Sequence, residues 1–296
     1  MSKRLPIAGI AAAGLAVIAA LALSACGSSK KSASTSPGAT GGSTLALTVT
    51  ESGKTATIAA PRVVKAGLTQ LTVANKGKGP HGAQFARLDG NHSIQEAFKA
   101  VGGNKTPSWF HFEGGVGLAP PGRTVSVALD LTPGRYAVVD MANGPGQKGP
   151  PAFRQLTVTP GGKTGPLPPT PATITAANPA KDKYQWQVSG SLKPGINTVT
   201  FVSKGKQAIH FLGAFRLTRS ASKAQIIKGL KSQGPPPPFI DPHSGYTTAA
   251  LDGGKSQTSP LPLMSPGQWV LFCPLKDRDG GKPHFEEGLL KTITVK

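Results

Sequence analysis

Acidic residues are scarce in this chain: 13 Asp and Glu stand against 33 Lys and Arg in 296 residues. No pair of carboxylates stands out for acid–base work, and Gly-x-Ser-x-Gly, His-Glu-x-x-His and a phosphate loop are all missing. These absences point away from an enzyme. Dense basic runs are missing too. No stretch holds five or six consecutive Lys or Arg, no aromatic residues interleave a basic patch and no finger motif occurs, so the net charge of +20 does not read as nucleic-acid binding. Runs with helical periodicity are rare. Cysteine is rarest of all, with Cys26 near the start and Cys273 near the end.

What is present is turn-forming and β-forming. Glycine (38) and proline (28) punctuate short apolar or β-branched segments at residues 45–50, 68–74, 124–129, 136–139, 197–202 and 269–272. That pattern predicts an all-β sandwich or barrel. The segments also repeat. Residues 67–78 align with 195–206 at a constant offset of 128, and His81 matches His210 one inserted residue later. Arg87-Leu88 and Arg216-Leu217 follow, then helix-like segments at 93–101 and 222–230. Residues 131–139 align with 264–272 at offset 133, and strands at 155–158 and 292–295 close the two halves. Ordered matches with small indels predict two copies of one β domain. The expected boundaries are 44–160 and 171–296, with a Pro/Gly-rich linker at 161–170.

The N-terminus is built differently. Lys3 and Arg4 precede 17 uncharged, mostly apolar residues (7–23), and then comes Leu23-Ser24-Ala25-Cys26. A basic start, a short apolar stretch and small residues before a cut form an export signal. The ending resembles the bacterial lipobox, which implies a signal peptide at 1–25 and acylation of Cys26 as the first mature residue. Residues 26–43 are nearly all Gly, Ser, Thr, Ala and Lys, a flexible tether that lifts the body by about 20 Å. The expected location is extracytoplasmic, anchored through the N-terminal lipid to the outer face of the bacterial cell membrane, with Lys30 and Lys31 placed to assist. Losing the leader leaves 31 basic and 13 acidic residues. The resulting +18 suits anionic lipid or an acidic cell-envelope polymer.

The second copy carries the chemically distinctive residues. His210 follows a Lys-Gly-Lys turn, Cys273 ends a strand, and His284 follows a loop, with Gly288-Leu289 just beyond. This order resembles the cupredoxin family, in particular bacterial cupredoxin-like proteins with an Asn-x-Gly-x-x-Pro-His segment and a late Cys-x10-His-x4-Met segment. The resemblance implies two tandem cupredoxin-like Greek-key β-sandwiches, with copper held by His210, Cys273 and His284. A thiolate with two neutral imidazoles is a soft trigonal set suited to that metal. Leu289 stands where the family has Met, which implies a three-ligand site of raised potential. The separation of 11 positions from Cys273 to His284 is also longer than blue-copper loops usually have, where the second His follows only a few residues after Cys. In the first copy Asp140 replaces the cysteine and Ala152 the second histidine, so that copy is read as structural or partner-binding.

Three readings of Cys273 stay open: a small buried hydrophobe, a metal ligand, or a redox-active thiol. His92 reads as solvated, His111 as packed on aromatics in Trp109-Phe110-His111-Phe112, and His243 as a loop residue. The implied role is electron transfer with a redox partner protein, or copper handling, at the cell surface. The rival is a metal-free lipoprotein that binds cell-wall polymer or an envelope protein.

Overall fold

The computed structural model describes residues 42–53, 55–101, 105–142, 151–232 and 234–296. The expected signal peptide, Cys26 and nearly all of the tether lie outside the described residues. Among the described residues the chain is nearly all β, with two short helices, an all-β sandwich fold as expected from the turn-rich, β-branched sequence.

The first half contains β1 (Ser43–Ser52), β2 (Thr55–Ala59), β3 (Val63–Lys65), β4 (Gly67–Asn75) and β5 (His81–Leu88). After helix α1 (Ile94–Val101) come β6 (Phe110–Ala119), β7 (Thr124–Leu131), β8 (Gly134–Asp140) and β9 (Phe153–Thr159). The second half opens with β10 (Ala172–Ala180), β11 (Lys183–Gly190), β12 (Gly195–Ser203), β13 (Ile209–His210) and β14 (Gly213–Arg216). Helix α2 (Lys223–Lys231) precedes β15 (Tyr246–Thr247), β16 (Leu251–Asp252), β17 (Ser256–Leu263), β18 (Gly267–Phe272) and β19 (Leu290–Val295).

Alternation explains the strands. In β1, Leu45, Leu47 and Val49 point inward and are buried while Ala46 and Thr50 face out, the period of two that a half-covered sheet requires. Both helices begin where a serine and a residue three positions on cap each other. Ser222 and Gln225 form a reciprocal capping box, and Ser93 pairs with Glu96 in the same way.

Pairing repeats along the chain. β1 runs parallel to β4, and β10 parallel to β12. β4–β7 and β12–β17 are antiparallel, as are β5–β8 and β14–β18, then β8–β9 and β18–β19. Each half has its own apolar core, one around Leu71, Phe85 and Val127, the other around Phe201, Leu261 and Trp269.

The halves meet through the same strand positions. β7 pairs with β17 at Leu129–Gln257, and β6 with β16 at Glu113–Leu251, so one eight-stranded sheet runs through both. Two buried amides seal the seam. Gln84 donates to the Ala250 carbonyl (3.0 Å) and accepts from the Ala250 N–H (2.7 Å). Gln257 likewise donates to the Gly115 carbonyl (3.0 Å) and accepts from its N–H (2.9 Å). Buried amides with both ends satisfied satisfy backbone groups that a ladder leaves unpaired. Gly115 must be glycine, since its φ is +134° and a Cβ there would lie 1.9 Å from the Ala83 carbonyl oxygen.

Candidate metal centre

His210 ends the two-residue β13, which a turn at Gly205 (φ +112°) separates from β12. Cys273 directly follows β18, and His284 closes the loop after it. The long Cys–His spacing resolves as a side excursion. His284 N–H donates to the Leu275 carbonyl (2.8 Å) and Phe285 N–H to the Cys273 carbonyl (2.8 Å), so residues 276–282 bulge outward while the two ligand candidates stay together. The excursion turns on Gly280 and Gly281, both with positive φ.

All three side chains are fully buried. Nδ1 of His210 lies 3.0 Å from Nδ1 of His284, and Cys273 Sγ lies 4.0 Å and 3.7 Å from these two nitrogens. A triangle with those sides has its centre inside it, about 2.1 Å from every corner, close to metal–nitrogen bonds and slightly short of metal–sulfur ones. Among the described residues this is the only such cluster of potential ligands. Leu289, fully buried in the same core as Cys273, offers no donor atom.

Surrounding residues fix the ring orientations. His210 Nε2 faces the Lys204 carbonyl at 3.1 Å and must donate to it. His284 Nε2 faces Asp277 Oδ1 at 3.2 Å, and Tyr184 Oη donates to the same carboxylate at 2.6 and 2.7 Å. With both Nε2 atoms protonated, both Nδ1 lone pairs in the neutral rings point at one spot. Two acceptors 3.0 Å apart need a cation between them, either a proton or a metal ion. Burial, with the neighbouring His284 charge, pushes the His210 pKa down to about 3. For His284, burial opposes the charge, but Asp277 and Cys273 outweigh it and raise the pKa to about 9. Of the two rings, His284 is therefore the one whose surroundings favour a proton, and His210 the one whose surroundings oppose it. Asp277 is held below the usual carboxylate range, burial notwithstanding, by His284 and Tyr184. Burial and the Asp277 bond raise the Tyr184 phenol, which stays a donor.

Cys273 thus belongs both to the apolar core and to the ligand cluster. Sequence reasoning missed Tyr184 and Asp277. Tyr184 was visible only as one inward residue of an alternating strand, and Asp277 as one charge in a polar loop.

In the first half His81 is equally buried, but its partners are carboxylates: Asp140 Oδ2 on Nδ1 at 2.6 Å and Glu51 Oε1 on Nε2 at 2.9 Å. Ala152 packs against the first-half core. His92 stacks on Trp109 with ring centroids 4.0 Å apart. His111 departs from expectation: its nitrogens bridge Asp89 (2.8 Å) and Asp252 (3.3 Å), because a partly buried imidazole between two carboxylates gains more from hydrogen bonds than from ring packing. His243 sits exposed on its loop, outside the cluster.

No protein-family model and no curated protein matches the chain. Among solved structures it is similar to a multicopper oxidase, at 13% identity over 86% of this chain and 88% of that one, with a TM-score of 0.24. A copper nitrite reductase from Nitrosomonas europaea matches at 15% identity over 86% and 94%, with a TM-score of 0.23. Auracyanin B matches at 22% identity over 42% of this chain and 86% of its own, with a TM-score of 0.27. The oxidase and the reductase are enzymes, which corrects the expectation of a non-enzyme drawn from the missing motifs. Those motifs report acid–base, nucleophilic and phosphoryl chemistry, and redox catalysis needs none of them.

Proposed function

We propose that the chain is a lipid-anchored protein of the bacterial cell surface, built from two copies of a cupredoxin-like domain (44–160 and 171–296), whose second copy holds copper for one-electron transfer. The observation that carries this reading is the convergence of two imidazole lone pairs and one sulfur on a buried point at bonding distance from all three. His210 Nδ1, His284 Nδ1 and Cys273 Sγ would hold the ion, which supplies a one-electron redox couple when bound. Asp277 and the Lys204 carbonyl keep both rings in the ligating tautomer, the support that ligating histidines require. Leu289 leaves the set at three donors. Full burial of all three ligands favours electron transfer over copper delivery, since an ion cannot pass to a partner without opening the site, whereas an electron can.

Cys26 and the tether support the anchor, and the +18 charge supports residence against an anionic surface, facing a redox partner there. Copper(II) added to the full chain should bind with one equivalent and give an intense visible thiolate band that Cys273→Ser abolishes. An absence of both uptake and band in the unsubstituted chain would refute the copper reading. Labelled fatty acid should enter the chain and not its Cys26→Ala variant; equal incorporation would remove the anchor.

A further inference from the structure

We infer that the first half braces the metal centre of the second through Arg278, a positioning residue for Asp277. This rests on the metal reading above for its function, and on hydrogen bonds alone for its geometry.

Arg278 touches no ligand candidate. Its guanidinium is only 11% exposed and reaches across the seam. Nη1 donates to the Pro107 carbonyl (2.9 Å) and the Phe110 carbonyl (2.8 Å), both in the first half at the start of β6. Nη2 pairs with Asp252 of β16, which also meets His111 of the first half at 3.3 Å. The Arg278 backbone is held as well: its N–H donates to the Gln207 carbonyl (3.0 Å), and its carbonyl accepts from Thr106 N–H (2.8 Å) of the first half. The residue is thus pinned on both faces of the seam.

Its neighbour Asp277 faces the other way, toward His284 Nε2 and Tyr184 Oη. The two residues sit on the outward bulge of a ten-residue excursion, whose backbone is held there by the Asp277–Gly280 bridge and by the bonds of Arg278 to Gln207 and Thr106. A bulge turning on two positive-φ glycines is locally soft, so the carboxylate stays aligned with His284 because Arg278 is anchored beside it. The half without a ligand set therefore acts on the site as a second coordination layer. Losing such outer partners typically weakens metal binding about 10–100-fold.

The test compares the full chain with its Arg278→Gln, Asp277→Asn and doubly substituted forms. Copper(II) affinity should fall about 10-fold in each single variant, and the double variant should bind no more weakly than Asp277→Asn alone, because both changes act through one carboxylate. Unchanged affinity in Arg278→Gln, or losses that add in the double variant, would overturn the brace. A second readout needs no metal. The His284 Nε2–H should be slow to exchange in the unsubstituted chain and fast in Arg278→Gln; equal protection would overturn the brace. Failure of the unsubstituted chain to take up copper would defeat the metal reading and leave this exchange comparison to decide the geometry. Should Arg278→Gln not fold, Asp252→Asn removes one partner of the guanidinium and is read in the same two ways, with a smaller expected effect.

Discussion

His81 and His210 stand after the same strand of each half, equally buried, and are stabilised in opposite ways. Around His81 two carboxylates, Asp140 and Glu51, take both ring nitrogens, so the ring is held as a cation. Burial alone would lower its pKa, but Asp140 and then Glu51 reverse this and raise it. Around His210 there is a carbonyl on one side and, on the other, a second imidazole and a thiol. Burial there keeps the ring neutral. A buried histidine must have its ring nitrogens satisfied: Asp140 and Glu51 do this for His81 with two counter-charges, whereas Cys273 and His284 leave the Nδ1 lone pair of His210 free to share a cation.

Removing each ring should break this comparison most visibly. His81→Leu strands Asp140, only 4% exposed, as a buried carboxylate without its cation, and should cost about 3–5 kcal/mol in urea unfolding. His210→Leu in the metal-free chain loses the bond to Lys204 and the contact with His284 but strands no unpaired anion, and should cost about 1–3 kcal/mol. Equal costs would show that the two pockets are not electrostatic opposites.

The same pair predicts a pH dependence. The folded pKa of His81 is raised above 6.5, so its contribution is fully present below 6.5 and is lost as pH rises through the raised value. Glu51 is lowered, chiefly by the Lys78 N–H, so its share is present above 4.5 and lost as pH falls through the lowered value. The stability gap between the unsubstituted chain and His81→Leu should therefore narrow as pH climbs above neutrality. A gap that widened from pH 6.5 upward would show that the folded chain does not raise the pKa of the His81 ring.

Much of this was legible in the sequence. The constant offset of 128 aligned Gly67 with Gly195, and these residues begin β4 and β12. The β-branched runs between glycines and prolines became strands, and both serines ahead of the helix-like segments became caps. The ligand candidates were legible because His and Cys are rare here and fall in an ordered pattern. The seam was not. Gln84 and Gln257 are ordinary amides in sequence, and only the approach of a second sheet shows that each replaces a stretch of ladder. Asp277 and Arg278 escaped for a related reason: a charged loop reads as solvated, and nothing local indicates that it folds against another half of the chain.

The smallest expected effect concerns a feature that the two halves share. Tyr136 donates from Oη to the Thr132 carbonyl at 2.7 Å, and Trp269 donates from Nε1 to the Ser265 carbonyl at 3.0 Å. Each ring lies four residues beyond the carbonyl it binds, across a Pro-Gly turn that starts β8 or β18. The bond ties the strand to the turn that launches it, and it survives the exchange of a phenol for an indole because both rings carry a donor at the far edge. Tyr136→Phe removes that donor and little volume, and keeps the edge contact with Phe85, 6.3 Å between centroids. The expected cost is therefore one hydrogen bond, about 1 kcal/mol, in urea unfolding. Trp269→Phe loses the same bond and also shrinks a fully buried ring, so its cost should exceed that of Tyr136→Phe by the cavity it leaves, about 1–3 kcal/mol more. If the two substitutions cost the same, the tryptophan would be contributing only its hydrogen bond, and the second core would have to close around the smaller ring without loss.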